Sequence, residues 1–307
     1  MTDSLYFMLQ IDCESTQASV NDPALGRRAS EGFARCLEAN RLLGTFYVIP
    51  TDIEAHADLY RDLRRRGHEV GVHVHPAVQG YGEFLGIYGP DEQREILGEA
   101  TDRFVAAMGC HPTSVCVGYV STNDHTYGVL ESLGYRQGTN SIPGRVLPQC
   151  AAVHAGAPLE LHYAHRHNRV LEGNMDFVES PVTVDPDSRM WSGANPQDLR
   201  IELVDAKNHY YTIRKAIQRQ LDGRTPVKSI RALTHNTFDY SESTNFRRQT
   251  LEAVIDHARR LAHEHQLELK SATVVDLASA YRRAVPLESR RENLALDRRA
   301  YERTQTS

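Results

Sequence analysis

Apolar and amphipathic stretches alternate along this chain from its first residues. Positions 5–11 are a short apolar run, and 45–49, 70–74 and 114–117 repeat the pattern, so each predicts a strand. Between them lie stretches with helical spacing. Ala29, Phe33, Cys36, Leu37 and Leu42 predict a helix closing at Gly44, and a second spans 55–66 up to Gly67. Ile96, Leu97, Ala100, Phe104 and Met108 predict a third helix, capped by Asp91, and 124–133 predicts a fourth. The rhythm breaks over 139–200, rich in Gly, Pro, His and Asn, where 177–184 is the clearest strand. It resumes with a polar helix near 197–221, a strand at 229–234, a helix near 244–264 and a strand at 267–270. In that last helix Phe246, Leu251, Val254, Ile255, Ala258 and Leu261 mark the apolar face.

Repeated β-α units imply a parallel sheet in an α/β fold, either open or closed into a barrel. We find no internal repeat and no linker. One domain over 1–285 is the simplest reading, with a charged tail or helix over 286–307.

Composition adds little to that frame. The 307 residues include 40% apolar positions and a formal charge of -5, which disfavours disordered chains and general nucleic-acid binders. No basic leader or apolar run of about eighteen residues is visible, so the expectation is a cytoplasmic protein without a membrane contact. Fifteen His against five Cys point to nitrogen and oxygen ligands rather than thiolates.

The positions of those histidines carry the chemistry. Residues i and i+2 of a strand share a face. Asp12 and Glu14 end the first strand, and His73 and His75 end the third, so two acids and two imidazoles can converge where parallel strands place functional groups. That set suits a divalent metal such as zinc, with cobalt, nickel, manganese or iron as alternatives. His235 ends a later strand at the same rim. A second histidine group, His154, His162, His165 and His167, reads as surface or lid residues rather than a second metal site.

These segments resemble the polysaccharide deacetylases, carbohydrate esterase family four of the NodB-homology type. The resemblance rests on Asp12-Cys13-Glu14, on residues 45–48, and on Gly67-His68-Glu69-Val70-Gly71 running to His73-Val74-His75-Pro76. Further matches follow in order: residues 114–119 with the helix leading to Tyr135, Glu179-Ser180-Pro181, and Leu233-Thr234-His235. The resemblance implies a distorted (β/α) barrel of about seven parallel strands. By position, Asp12 would be the general base, Glu14 a metal ligand with His73 and His75, and His235 the general acid. Tyr119 and Trp191 are candidate substrate contacts, although Trp191 can equally be a packed core residue.

Three departures stand out. The two histidines are two residues apart, in a shortened motif. Glu14 stands where Asp is usual, which leaves open which acid binds metal. Cys116 occupies the place of an Arg that orients the base, and a small buried residue is expected there rather than a nucleophile. The resulting expectation is a metal-dependent deacetylase cleaving an amide of a small N-acetylated sugar or related metabolite. A linear or cyclic amide hydrolase and an inactive carbohydrate-binding scaffold are the alternatives. A homo-oligomer is compatible with the sequence, which leaves oligomeric state open.

Overall fold

The computed structural model of the chain describes residues 3–190 and 193–290. Its first strand, β1 (Ser4–Cys13), is the spine of the molecule. It pairs in parallel with β12 (Lys228–His235) along one edge. Its other edge is shared: β13 (Glu268–Ala272) takes residues 4–8 and β2 (Gly44–Val48) takes residues 9–13. From β2 the sheet continues in parallel through β3 (Glu69–Val74), β4 (Ser114–Val117), β5 (Gln137–Gly138) and β9 (Val178–Glu179), and ends with antiparallel β8 (His162–Tyr163). The result is a curled, mostly parallel sheet, the distorted barrel anticipated from the sequence.

The curl is bridged between its two ends. Thr183 N donates to Arg231 O, Leu233 N to Leu199 O and Ile201 N to Leu233 O, so residues 183 and 199–201 lie against β12. These pieces flank a hairpin of β10 (Val184–Arg189) and β11 (Pro196–Asp198), and a small hairpin of β6 (Val146–Leu147) and β7 (Ala152–Val153) lies nearby in sequence.

Alternation along the strands separates two environments. Leu5, Phe7, Leu9, Ile11 and Cys13 of β1 join Phe46, Val48, Val72, Val74, Ile230 and Ala232 in the main core beneath the helices. The opposite parity carries Met8, Gln10 and Asp12 on β1, Tyr47 on β2, His73 on β3 and Cys116 on β4, all buried. Both faces of a parallel sheet are covered, so its strands read as continuous buried runs. Here the inner face turns polar towards the strand ends, which is where chemistry can be housed.

Helices α1 (Pro23–Ala39), α2 (Pro50–Ala55), α3 (Ala57–Arg65), α4 (Pro90–Met108), α5 (Thr126–Ser132), α6 (Ala206–Asp222), α7 (Phe246–Glu264) and α8 (Val274–Ala284) accompany the sheet. Several boundaries depart from the sequence expectations. The first helix stops at Asn40, because Arg41 adopts φ 57, and Gly44 opens β2 instead of closing the helix. Pro50 starts a helix at its first position, and that helix breaks at His56. Asp91 is a first-turn acid of α4; Gly89 is the cap and Glu92 reaches back to its N–H. Pro181 follows the two-residue β9, so the expected strand over 177–184 is split in two. Helix α6 begins at Ala206, capped by Asp205, and residues 196–198 ahead of it are strand. Helix α8 was not anticipated, although Thr273 and Asp276 form a capping box at its start. Among the described residues, no helix is long and apolar enough to cross a membrane. The proposed tail over 286–307 falls mostly outside the described residues.

Candidate active site and metal centre

Asp12 and Glu14 project from the end of β1, His73 and His75 from the end of β3, and His235 from the end of β12. All five line one cavity of about 130 Å³, together with Gln10, Cys116 and Tyr119. Strand pairing explains the convergence: Asp12 lies opposite His235 in the β1–β12 register and opposite Tyr47 in the β1–β2 register. Asn236 then locks the end of β1. Its N–H donates to Asp12 O, and its Oδ1 accepts from Glu14 N. Its Nδ2 donates to buried Asp52, which also takes the Ser15 N–H and hydroxyl.

The two imidazoles are oriented from behind. His73 Nδ1 is 2.9 Å from Cys116 O, and His75 Nδ1 is 2.5 Å from Glu83 Oε1. Both partners accept, so in a neutral ring each Nδ1 carries the proton and each Nε2 presents a lone pair. The two Nε2 atoms are 3.1 Å apart. Glu14 Oε2 lies 2.8 Å from that of His75 and 3.5 Å from that of His73. Gly118 allows this approach, since a Cβ there would lie 2.6 Å from the His75 ring.

Three acceptor lone pairs thus face one another within the space of a single ion. Ligand atoms around a tetrahedral zinc, bonded at about 2.0–2.1 Å, lie roughly 3.3 Å apart, and the three distances bracket that value. Glu14, His73 and His75 therefore fit a divalent metal. A second set, Asp12, His73 and Cys116, fits less well. Asp12 Oδ2 is 4.0 Å from His73 Nε2, and burial, reinforced by the Asp12 charge, pushes the Cys116 thiol well above its usual range and keeps it protonated.

Electrostatics divide the two acids. Burial raises the Asp12 carboxyl, against the opposing pull of His73 and His235. Burial acts the same way on Glu14, but when the Nε2 atoms of His73 and His75 carry protons instead of facing a metal, their hydrogen bonds outweigh it and hold that carboxyl well below its usual value. His235 is opposed by burial too, yet the charge and hydrogen bond of Glu202 lift it to about 9. Its Nδ1 lies 2.8 Å from Glu202 Oε1, which leaves Nε2 for the cavity.

Sequence reasoning missed four of these supporting groups. Gln10 Nε2 donates to Asp12 Oδ1 at 3.1 Å and lies 3.8 Å from Cys116 Sγ, so a neutral amide and a thiol stand beside the acid, in keeping with the departure noted at Cys116. Its position two residues before Asp12 was the available signal. Glu83, Glu202 and Asn236 sit in or next to irregular segments with no periodic cue. Cys116 is buried, as expected of a small strand residue.

Tyr119 stands at the cavity mouth, 47% exposed, its ring 5.4 Å from that of His75. It and Val120 both have positive φ, at 58° and 53°, costly for non-glycine residues and above all for a β-branched one. His154 holds that turn, its Nε2 2.8 Å from Val120 O. The histidines expected at the surface are thereby corrected. His154, His162 and His165 are buried; only His167 is exposed, and none groups with others around a second metal site among the described residues. Burial lowers His154 to about 4, so it serves as a neutral strut. Trp191 lies outside the described residues.

Residues 21–138 match the family model described as polysaccharide deacetylase. Over that segment the chain is similar to the polysaccharide deacetylase family. The matched segment contains His73, His75, Glu83, Cys116 and Tyr119, whereas Asp12, Glu14, Glu202 and His235 lie outside it. Solved structures support the fold across the whole length. A Mycobacterium smegmatis protein provisionally described as a polysaccharide deacetylase superposes with a TM-score of 0.63 at 14% identity, over 97% of this chain and 96% of that one. Puue allantoinase gives the same score and identity over 92% and 91%. A Pseudomonas aeruginosa PAO1 protein, also provisionally described as a polysaccharide deacetylase, gives 0.62 at 12% identity over 92% of both chains. Among curated proteins, no sequence matches the chain.

Proposed function

We propose that this protein is a metal-dependent hydrolase that cleaves the amide C–N bond of a small N-acetylated sugar or a related amide. The observation that carries the reading is the meeting of Glu14 with two Nε2 lone pairs beside a buried acid and a supported histidine. A zinc-class ion held there would polarise the acyl oxygen and lower the pKa of a bound water. Asp12, raised by burial and held by Gln10, accepts a proton from the attacking water. The new bond joins that water oxygen to the acyl carbon. His235, kept protonated by Glu202, donates from Nε2 to the nitrogen as the C–N bond breaks. The products are a carboxylic acid and a free amine. Tyr119 closes the mouth over the acyl end.

A small cavity, about 130 Å³, favours an acetyl-sized group at the centre over a bulky acyl chain. The test is amine release from N-acetylated sugars and simple amides, with and without added zinc, by wild type and Asp12→Asn. We expect zinc-dependent release, with the variant binding zinc normally and losing at least about 100-fold in turnover. Normal turnover by Asp12→Asn removes the assigned base, and zinc-independent turnover removes the metal. The fold likeness to Puue allantoinase makes a cyclic amide the second substrate class for the same screen.

A further inference from the structure

Two arginines from separate irregular segments converge on the wall of the same cavity, and the mechanism above uses neither. Arg145 Nη2 donates to Asp198 Oδ2 at 2.8 Å, and Arg200 Nε donates to Asp198 Oδ1 at 3.0 Å. Asp198 is buried at 1% exposure and Arg145 at 7%. One carboxylate therefore serves two guanidinium groups, which leaves the trio with one surplus positive charge. Buried Glu202 also feels Arg200, but it is already paired with the protonated His235, so an incoming anion would still meet a guanidinium whose charge is not neutralised.

The free donors point the same way. Each guanidinium carries five N–H groups in a rigid fork suited to carboxylate or phosphate. Among the described residues, Arg145 has only its Asp198 bond. Arg200 adds a single long contact, Nη2 to Met190 Sδ at 3.8 Å. The unused N–H groups belong to two side chains that line the catalytic cavity.

Backbone pairing fixes the placement. Arg200 sits opposite Leu233 in a parallel bridge, two residues before His235, so it stands on the rim beside the general acid. Arg145 is tied by the exchange of His154 N to Arg145 O. A second cavity of about 450 Å³, with Leu147, Cys150 and Met190 on its wall, shares Tyr119, Arg145 and Arg200 with the first. The arginines thus border both spaces, where the part of the substrate beyond the amide would lie.

We propose that Arg145 and Arg200, clamped by Asp198, form an anion subsite that selects amide substrates bearing a carboxylate or phosphate group beyond the scissile bond. This assignment rests on the amide-hydrolase reading for its orientation, but its binding chemistry can be tested without turnover. Calorimetric titration of the zinc-supplemented protein would compare N-acetylglucosamine with its 6-phosphate and with N-acetylmuramate, and N-acetyl-β-alanine with its neutral methylamide. We expect at least one anionic ligand to bind at least tenfold more tightly than its neutral counterpart, and inorganic phosphate to compete with it. The phosphate and carboxylate pairs distinguish which anion the subsite takes.

Arg200→Gln should cut that preference below threefold while leaving zinc content and neutral-ligand affinity unchanged, and Arg200→Lys should retain part of it. The lysine variant, with its charge kept, guards against loss of folding. Equal binding of charged and neutral partners throughout, or no binding of any anionic ligand, overturns the subsite, as does a preference that survives Arg200→Gln. Selective anion binding without amine release would instead remove the hydrolase reading and leave the subsite standing. Amine release at equal rates from neutral and anionic amides would do the reverse.

Discussion

Replacing Glu83 with alanine isolates how much the protein spends on holding one imidazole in place. His75 Nδ1 and Glu83 Oε1 are 2.5 Å apart, shorter than the usual charge-assisted N–H···O hydrogen bond of about 2.7–2.9 Å. The matching support of His73 is a backbone carbonyl and cannot be deleted by substitution. Glu83→Ala therefore removes the tautomer lock from one ligand while both ligands remain. A hydrogen bond to a charged group contributes about 1.5–3 kcal/mol, and loss of such an outer partner typically lowers metal affinity about 10–100-fold. The Glu83 side chain is 29% exposed, so water can replace part of the contact and the lower half of that range applies. We expect roughly 10–30-fold weaker zinc binding, measured by competition against a chromophoric chelator at fixed pH. His73→Ala and His75→Ala should abolish retention altogether. Unchanged zinc affinity in Glu83→Ala, with the fold intact by circular dichroism, would refute the argument that Nδ1 support sets Nε2 as the ligand atom.

Two further outcomes depend on proton positions. Glu202→Gln removes the anion that lifts His235 to about 9. A raised histidine is protonated below its folded pKa, so loss of its partner should move the alkaline limb of kcat/KM down by about one pH unit or more. An unmoved limb would remove His235 as the titrating acid. Glu179 is buried, which raises it to about 7 despite hydrogen bonds from Asn140 and Ser141. Its folded value exceeds the unfolded one. Its contribution to stability is therefore complete below about pH 4.5 and is lost as pH rises towards 7, amounting to about 3 kcal/mol. Glu179→Gln should flatten the fall in Tm across that window, and a parallel fall in the variant would assign the effect elsewhere.

Much of the fold was legible because the physical signal was local. Short apolar runs ending at Asp12, Pro50, Pro76 and Gly118 marked β1 to β4, and helical spacing marked α1, α4 and α7. Errors gathered where one residue's backbone decides the boundary. Arg41 at φ 57 and the kink at His56 leave the hydrophobic period untouched, so periodicity could not register them. Between 139 and 205, elements of two to six residues are held partly in short hairpins and partly by pairing with distant segments, and no window of sequence reveals the distant pairings.

The site divides along the same line. Parity within a strand put Asp12 with Glu14 and His73 with His75, because i and i+2 share a face whatever the remainder of the chain does. Strand-end position put His235 with them. What the alternation could not supply was register between strands or the origin of the supporting groups. The parallel pairing of β1 with β12 sets Asp12 opposite His235, and the loop carrying Glu83 returns to His75. Glu202, Arg145, Asp198 and Arg200 come from a segment with no period of its own, folded against β12 and the rim by hydrogen bonds to distant backbone. The candidate ligand set was thus written in local spacing, whereas tautomer, acidity and the positive charge beside the site arise only where distant carboxylates and guanidinium groups are buried together.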